Sequence, residues 1–189
     1  TPSLACANKC VFCWRHHTNP VGREWRWQMD DAETIVEKAV SEHRGMIKQM
    51  KGVPGVIPER FEEGMDPRHC ALSLVGEPIM YPEIDKFVGL LHAKRISTFL
   101  VTNAQFPDAI KNLPAITQLY VSVDAATPET LKAIDRPLFG DYWVSVDARP
   151  FHHFFGFPHP LASCGATCQT AFAPVMGSCL PRGANNDVA

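Results

Sequence analysis

Residues 6–14 read CANKCVFCW, and the CxxxCxxC spacing of Cys6, Cys10 and Cys13 decides how the chain is to be understood. A loop this short turns three thiols toward one point without the entropy of closing a long segment. Two inorganic occupants are chemically open to it. An iron–sulfur cube usually takes four cysteines, so a cube held by three keeps one iron free for another ligand, as catalytic metals keep an open coordination position. A zinc ion held by the three cysteines with His16 or His17 is the other, although zinc sites usually use two separated CxxC-like pairs.

The rest of the chain sets the surroundings of those thiols. Its 189 residues suffice for one domain with a core, and 46% apolar against 20% charged residues is the balance of a globular protein. A formal net charge of −2 gives no global attraction to nucleic acid, so only a local basic patch offers a route to it. No run approaches the ~18 apolar residues of a membrane span, and the first residues lack the pattern of a signal peptide. The expectation is therefore a cytoplasmic protein without a membrane partner, in a compartment where thiols stay reduced. Seven cysteines, an odd number, also argue against a fully paired disulfide framework. The start at Thr1 and Pro2, without methionine, leads us to expect a chain with its front removed.

Beyond the thiols, MDDAETIVEKAVSEHRGMIKQMKG (residues 29–52) spaces Ile35, Val36, Ala39, Val40, Met46 and Ile47 along one helical face. Asp30 or Asp31 is its expected N-cap and Gly52 its stop. Prolines and glycines over residues 52–67 predict an extended loop with at most one helical turn. From His69 a rhythm sets in: HCALSLVGEP, EIDKFVGLLHAKR, STFLVTN, PDAIKNL, QLYVSVDA and TPETLKAIDRP alternate strand and helix. Such βα units predict an α/β fold with a parallel sheet, and Thr127 before Pro128 predicts an N-cap. After Trp143 no period of strand or helix persists, so we expect residues 144–189 to form a low-order tail. Cys164, Cys168 and Cys179 within it are not read as a second cluster, and Cys70 is read as a core thiol.

The cysteine loop, with Phe12 before Cys13, resembles the signature loop of radical S-adenosylmethionine enzymes. That resemblance implies a 4Fe-4S cluster on Cys6, Cys10 and Cys13, with S-adenosyl-L-methionine capping the fourth iron. It also implies a partial (β/α) barrel whose loop follows the first strand, here incomplete with about three to four βα units in a core of residues 1–143. Gly76, Glu77 and Pro78 resemble the motif that accepts the cofactor's ammonium, with Val75 where similar enzymes have a glycine. Asn103, Ser122 and Asp124 end later strands where similar enzymes contact the ribose and methionine carboxylate, and Phe12 completes the expected cofactor-binding set.

The stretches ALSLVGEPIMYPEI, FLVTNAQFP, QLYVSVDA and IDRPLF, with the cysteine loop, are further similar to the tRNA 4-demethylwyosine synthase family. Membership would imply condensation of N1-methylguanosine in phenylalanine tRNA with pyruvate, begun by a 5′-deoxyadenosyl radical. An electron donor is implied too, and an FMN domain that family members carry ahead of this region. RNA contact would fit Arg15, Arg23 and Arg26, which alternate with Trp14, Trp25 and Trp27, while Lys48, Lys51 and Arg60 could extend the patch. The alternative is a truncated, inactive product that binds only zinc or tRNA.

Overall fold

A computed structural model describes residues 2–13, 15, 20–73 and 75–143, together with the backbone of 171–173. Three parallel strands form its centre, β1 (His69–Leu72), β2 (Ser97–Thr102) and β3 (Gln118–Val121), in sequential order. Their register aligns Leu72 with Leu100 and Leu100 with Leu119. The helices that accompany them are α1 (Ala32–Lys48), α2 (Pro58–Gly64), α3 (Ile84–Ala93), α4 (Pro107–Asn112) and α5 (Pro128–Asp135), with a 3-10 turn, Pro78–Met80, after β1.

The sequence provides a cap for α1 and α5 and a first-turn proline for α2, α4 and α5. Asp31 caps α1 by accepting from Thr34 N at 2.9 Å, and Thr127 caps α5 with Pro128 in the first turn, both as expected. The Glu83 carboxylate also accepts from Ala32 N at 2.8 Å, which ties the start of α1 to the start of α3. One face of the sheet then closes against these two helices. Val36 from α1, Phe87, Val88 and Leu91 from α3, and Leu72, Leu100 and Leu119 from the strands share one apolar cluster. Burial alternates along β2, with Thr98, Leu100 and Thr102 buried and the intervening residues half-covered. Buried Thr98 keeps its hydroxyl bonded, to His92 at 2.9 Å and to Thr117 N at 3.3 Å.

Four features depart from the expectations. α2 runs for 7 residues, longer than one turn, because Pro58 presets its first φ and no proline interrupts it before Pro67. No strand precedes the cysteine loop among the described residues; that side offers one bridge, Cys6 to Val21. Gly76–Glu77, which a strand ahead of the cysteine loop would have put after the second strand, accordingly follows the first strand of the sheet. In the tail, where no strand was expected, the backbone β4 (Ala171–Ala173) pairs antiparallel with β3.

Leu100 is fully buried at the middle of the cluster. Leu100→Ala is expected to cost about 2–5 kcal/mol, the usual range for a leucine truncated in a packed core. Urea denaturation of the apo chain checks it; a loss under ~1 kcal/mol would mean that this sheet face is not the core.

Candidate functional site

The cysteine loop is held at its base and at its crest. At the base, Cys6 N donates to Pro20 O and Gly22 N donates to Cys6 O, each at 3.0 Å. At the crest, Lys9 N donates to Asp135 O at 2.9 Å and Val11 N to Ile134 O at 2.8 Å. Those carbonyls belong to the last turn of α5, which has no intrahelical donors left to offer them. Arg136 in the left-handed conformation, φ 47°, ends the helix there. A turn closed by Cys13 N donating to Cys10 O at 3.1 Å then brings Cys13 to the same space that Cys6 and Cys10 line.

The opposite wall comes from the turn after β1. Gly76 has φ +74°, and a Cβ on it would lie 2.5 Å from Ser3 O, so only glycine admits the backbone of residues 3–4 at this distance. Glu77 N donates to Ala5 O at 2.6 Å, and the Glu77 side chain turns inward. It is 2% exposed, and one carboxylate oxygen accepts from Asn103 N at 2.8 Å while the other has no partner. The Asn103 amide in turn donates to Cys6 Sγ at 3.7 Å.

Between these walls lies a pocket of about 190 Å³. Cys6, Cys10, Cys13 and Phe12 line it from the loop, and Glu77, Asn103, Ser122 and Asp124 line it from the ends of the three strands. Every residue expected at the cluster or the cofactor therefore borders one space. Arg15, Arg23 and Arg26 do not line it. Arg23 Nε donates to Leu138 O at 2.8 Å, and its guanidinium lies over Phe139 at 5.9 Å. Arg26 lies over Trp27 at 5.7 Å. Trp25, expected as a flat face for a base, instead packs on the core, edge-to-face with Tyr81 at 6.1 Å. Trp14, His16 and His17 lie outside the described residues.

The pocket disfavours the negative charges it contains. Burial pushes the Cys6 thiol up to about 11, and burial with the neighbouring Asp135 carboxyl pushes Cys10 higher still. Burial raises Glu77 to about 7. Asp135 rises to about 7 through burial and then through the charge of Asp124, itself raised by desolvation. No lysine, arginine or histidine is among the lining residues. Such a space fits a cationic occupant, whose binding displaces protons from thiols and carboxyls. Among the described residues no three His, Cys, Asp or Glu side chains close around a single ion.

Sequence reasoning missed Asn8 and Asp135. Asn8 is 4% exposed and lines the pocket, with both side-chain amide atoms unpartnered. Asp135 is equally buried and lies close enough to Cys10 for its charge to oppose ionisation of that thiol. For Asn8, its place between Cys6 and Cys10 was a usable signal; for Asp135, distant in sequence, there was none.

A profile of the radical SAM superfamily matches residues 1–147. An S-adenosyl-L-methionine-dependent tRNA 4-demethylwyosine synthase of Oryza sativa subsp. japonica is 73% identical over 143 residues, 76% of this chain and 22% of that protein. The Homo sapiens synthase TYW1 is 72% identical over 143 residues, 76% of this chain and 20% of the relative. The chain thus spans about a fifth of the length of the curated relatives it matches. Among solved structures, TYW1 with a lysine-pyruvate adduct bound matches with TM-score 0.66 and 32% identity, over 77% of this chain and 47% of that one. A crystal structure of archaeal TYW1 matches with TM-score 0.59 and 28% identity over the same shares.

The raised carboxyl has a consequence for stability. Glu77 binds its proton more tightly folded, at about 7, than at its ordinary value of 4.5, so its contribution is complete below that ordinary value and is lost as pH rises through about 7. Apo chain is expected to lose about 3 kcal/mol from this group between pH 4.5 and 8, and Glu77→Gln to remove that share of the slope. Urea denaturation across the range checks it; equal slopes in both proteins would refute the assignment.

Proposed function

The chain belongs to the radical SAM superfamily, and from that premise we propose that it is the cluster- and cofactor-binding portion of a tRNA 4-demethylwyosine synthase. One observation carries the reading. The three thiols share a single pocket with Glu77, Asn103, Ser122 and Asp124, although these residues come from four separate segments.

Cys6, Cys10 and Cys13 would hold the 4Fe-4S cluster. Glu77 would accept from the cofactor's ammonium, and a cation there would return the carboxyl to its ionised form as a charge-assisted hydrogen bond. Asn103, Ser122 and Asp124 would orient the rest of S-adenosyl-L-methionine, and Phe12, 57% exposed, would cover the mouth of the site. When bound, the cluster and S-adenosyl-L-methionine supply one-electron chemistry that generates a carbon radical. The residues of this chain supply position and exclusion of water.

The substrates follow from the similarity to the synthases: N1-methylguanosine in phenylalanine tRNA, and pyruvate. Residues for pyruvate, and an FMN domain or other electron donor, are assigned to parts of the parent protein beyond this match. Arg15, Arg23 and Arg26 are assigned to tRNA phosphates, outside the pocket, and the setting is cytoplasmic. Among the described residues no helix is long and apolar enough to cross a membrane. The alternative is a catalytically inactive product that binds zinc or tRNA alone.

Anaerobic reconstitution with iron and sulfide decides between the two. A brown chain whose EPR signal changes when S-adenosyl-L-methionine is added, and which is lost in Cys13→Ala, supports the enzyme portion. A colourless zinc protein overturns it. For the RNA assignment, replacing Arg23 and Arg26 together by Gln is expected to weaken tRNA binding and reduce the salt slope by about 1–2, at roughly 0.7–0.9 per phosphate contact. An unchanged slope rejects that patch.

A further inference from the structure

Among the described residues, five buried side-chain atoms lack a hydrogen-bond partner: Nδ2 and Oδ1 of Asn8, and one oxygen each of Glu77, Gln105 and Asp135. Four of the five are oxygens. Oxygens with two lone pairs are sometimes left under-satisfied, whereas an orphaned buried donor is rare and costly. The Asn8 amide is the single donor in the set, and turning the carboxamide over would leave its NH2 just as buried, because both of its atoms lack partners.

Its position indicates what the donor is for. Asn8 stands between Cys6 and Cys10, lines the pocket, and already donates its backbone N–H to Cys6 Sγ at 3.4 Å. The Asn103 amide reaches the same sulfur at 3.7 Å. Donors thus gather around the sulfur side of this pocket, and a further donor is held ready without a protein acceptor. Its neighbours in the loop differ: Ala7 is buried and apolar, and Lys9 is exposed. Hydrogen bonds to the sulfurs of an iron–sulfur centre stabilise the extra negative charge of its reduced form and so raise its reduction potential.

We propose that Asn8 is a positioning residue whose side-chain amide donates to a sulfur of the cluster held by Cys6, Cys10 and Cys13 and raises its reduction potential. The proposal rests on the cluster reading above. It adds a tuning role for a residue within the loop, separate from holding iron or binding the cofactor.

The test uses the full chain, reconstituted anaerobically and titrated with a one-electron reductant while the cluster is followed by EPR. Asn8→Leu removes the donor with little change in volume and keeps the backbone N–H to Cys6. Its cluster is expected to be harder to reduce by about tenfold in the equilibrium constant, ~59 mV for one electron. Asn8→Ala, which removes bulk as well, is expected to shift in the same direction and carries the measurement if the leucine variant assembles no cluster. Asn8→Ser, which restores a hydroxyl donor, is expected to recover part of the shift.

Stability separates this role from a structural one. With no partner in the protein, the amide contributes nothing to the apo fold, so apo Asn8→Leu is expected to unfold at the same urea concentration as the parent or a higher one. A lower midpoint of unfolding would show a structural residue and overturn the proposal. A potential within twofold of the parent's in both donorless variants would overturn it as well, while leaving the cluster assignment intact. Failure of the parent chain to assemble any cluster would remove both together.

Discussion

The contact between the backbone of residues 3–5 and the Gly76–Glu77 turn is the constraint on which the site depends. Without a Cβ at Gly76 the two segments meet at carbonyl distance, and the Glu77 N–H to Ala5 O bond locks them. Cys6 follows directly on one side, and the Glu77 carboxylate stands on the other. Any side chain at position 76 would separate thiol from carboxylate by pushing on backbone, which cannot rotate away as a side chain can. The end of α5 supplies the second anchor by offering its unpaired carbonyls to Lys9 and Val11. The loop therefore takes its shape from elements far away in sequence, both of them positioned by the sheet.

Electrostatics makes the same pocket a poor place to be without a partner. Thiols and carboxyls are desolvated together, and each raises the cost of ionising the next. In such a site occupancy and stability are linked, because a cation bound there stabilises only the folded chain. Preorganisation of this kind trades stability of the apo form for affinity toward a positive centre.

The sheet is also finished unevenly. β1 has no partner on its outer edge among the described residues, whereas β3 is extended by the short antiparallel β4. An unpaired parallel edge invites further strands, which agrees with a chain that covers about a fifth of its relatives. Exposed Met46 in the last turn of α1, with Met50, Val53 and Ile57 between α1 and α2, adds uncovered apolar surface to the same molecule.

Local chemistry made much of this legible in advance. Asp31, Thr127 and Pro128 announced helix starts through their caps, the spacing of Ile35, Val36 and Val40 announced the inner face of α1, and CxxxCxxC announced three thiols bordering one space. Strand-end residues Glu77, Asn103, Ser122 and Asp124 were readable because parallel α/β sheets present their functional groups at those ends. Trp25 was expected to offer a face to RNA, but an Arg/Trp alternation does not say which ring finds a core; Tyr81, far along the chain, decided that for Trp25. The same limit hid Asp135 behind Cys10 and the orphaned amide of Asn8. The sequence by itself determined which residues were candidates for a site and which local elements they end. Tertiary structure alone decided which of them are deprived of water and left without partners, because desolvation depends on what packs around a group and not on what precedes it along the chain.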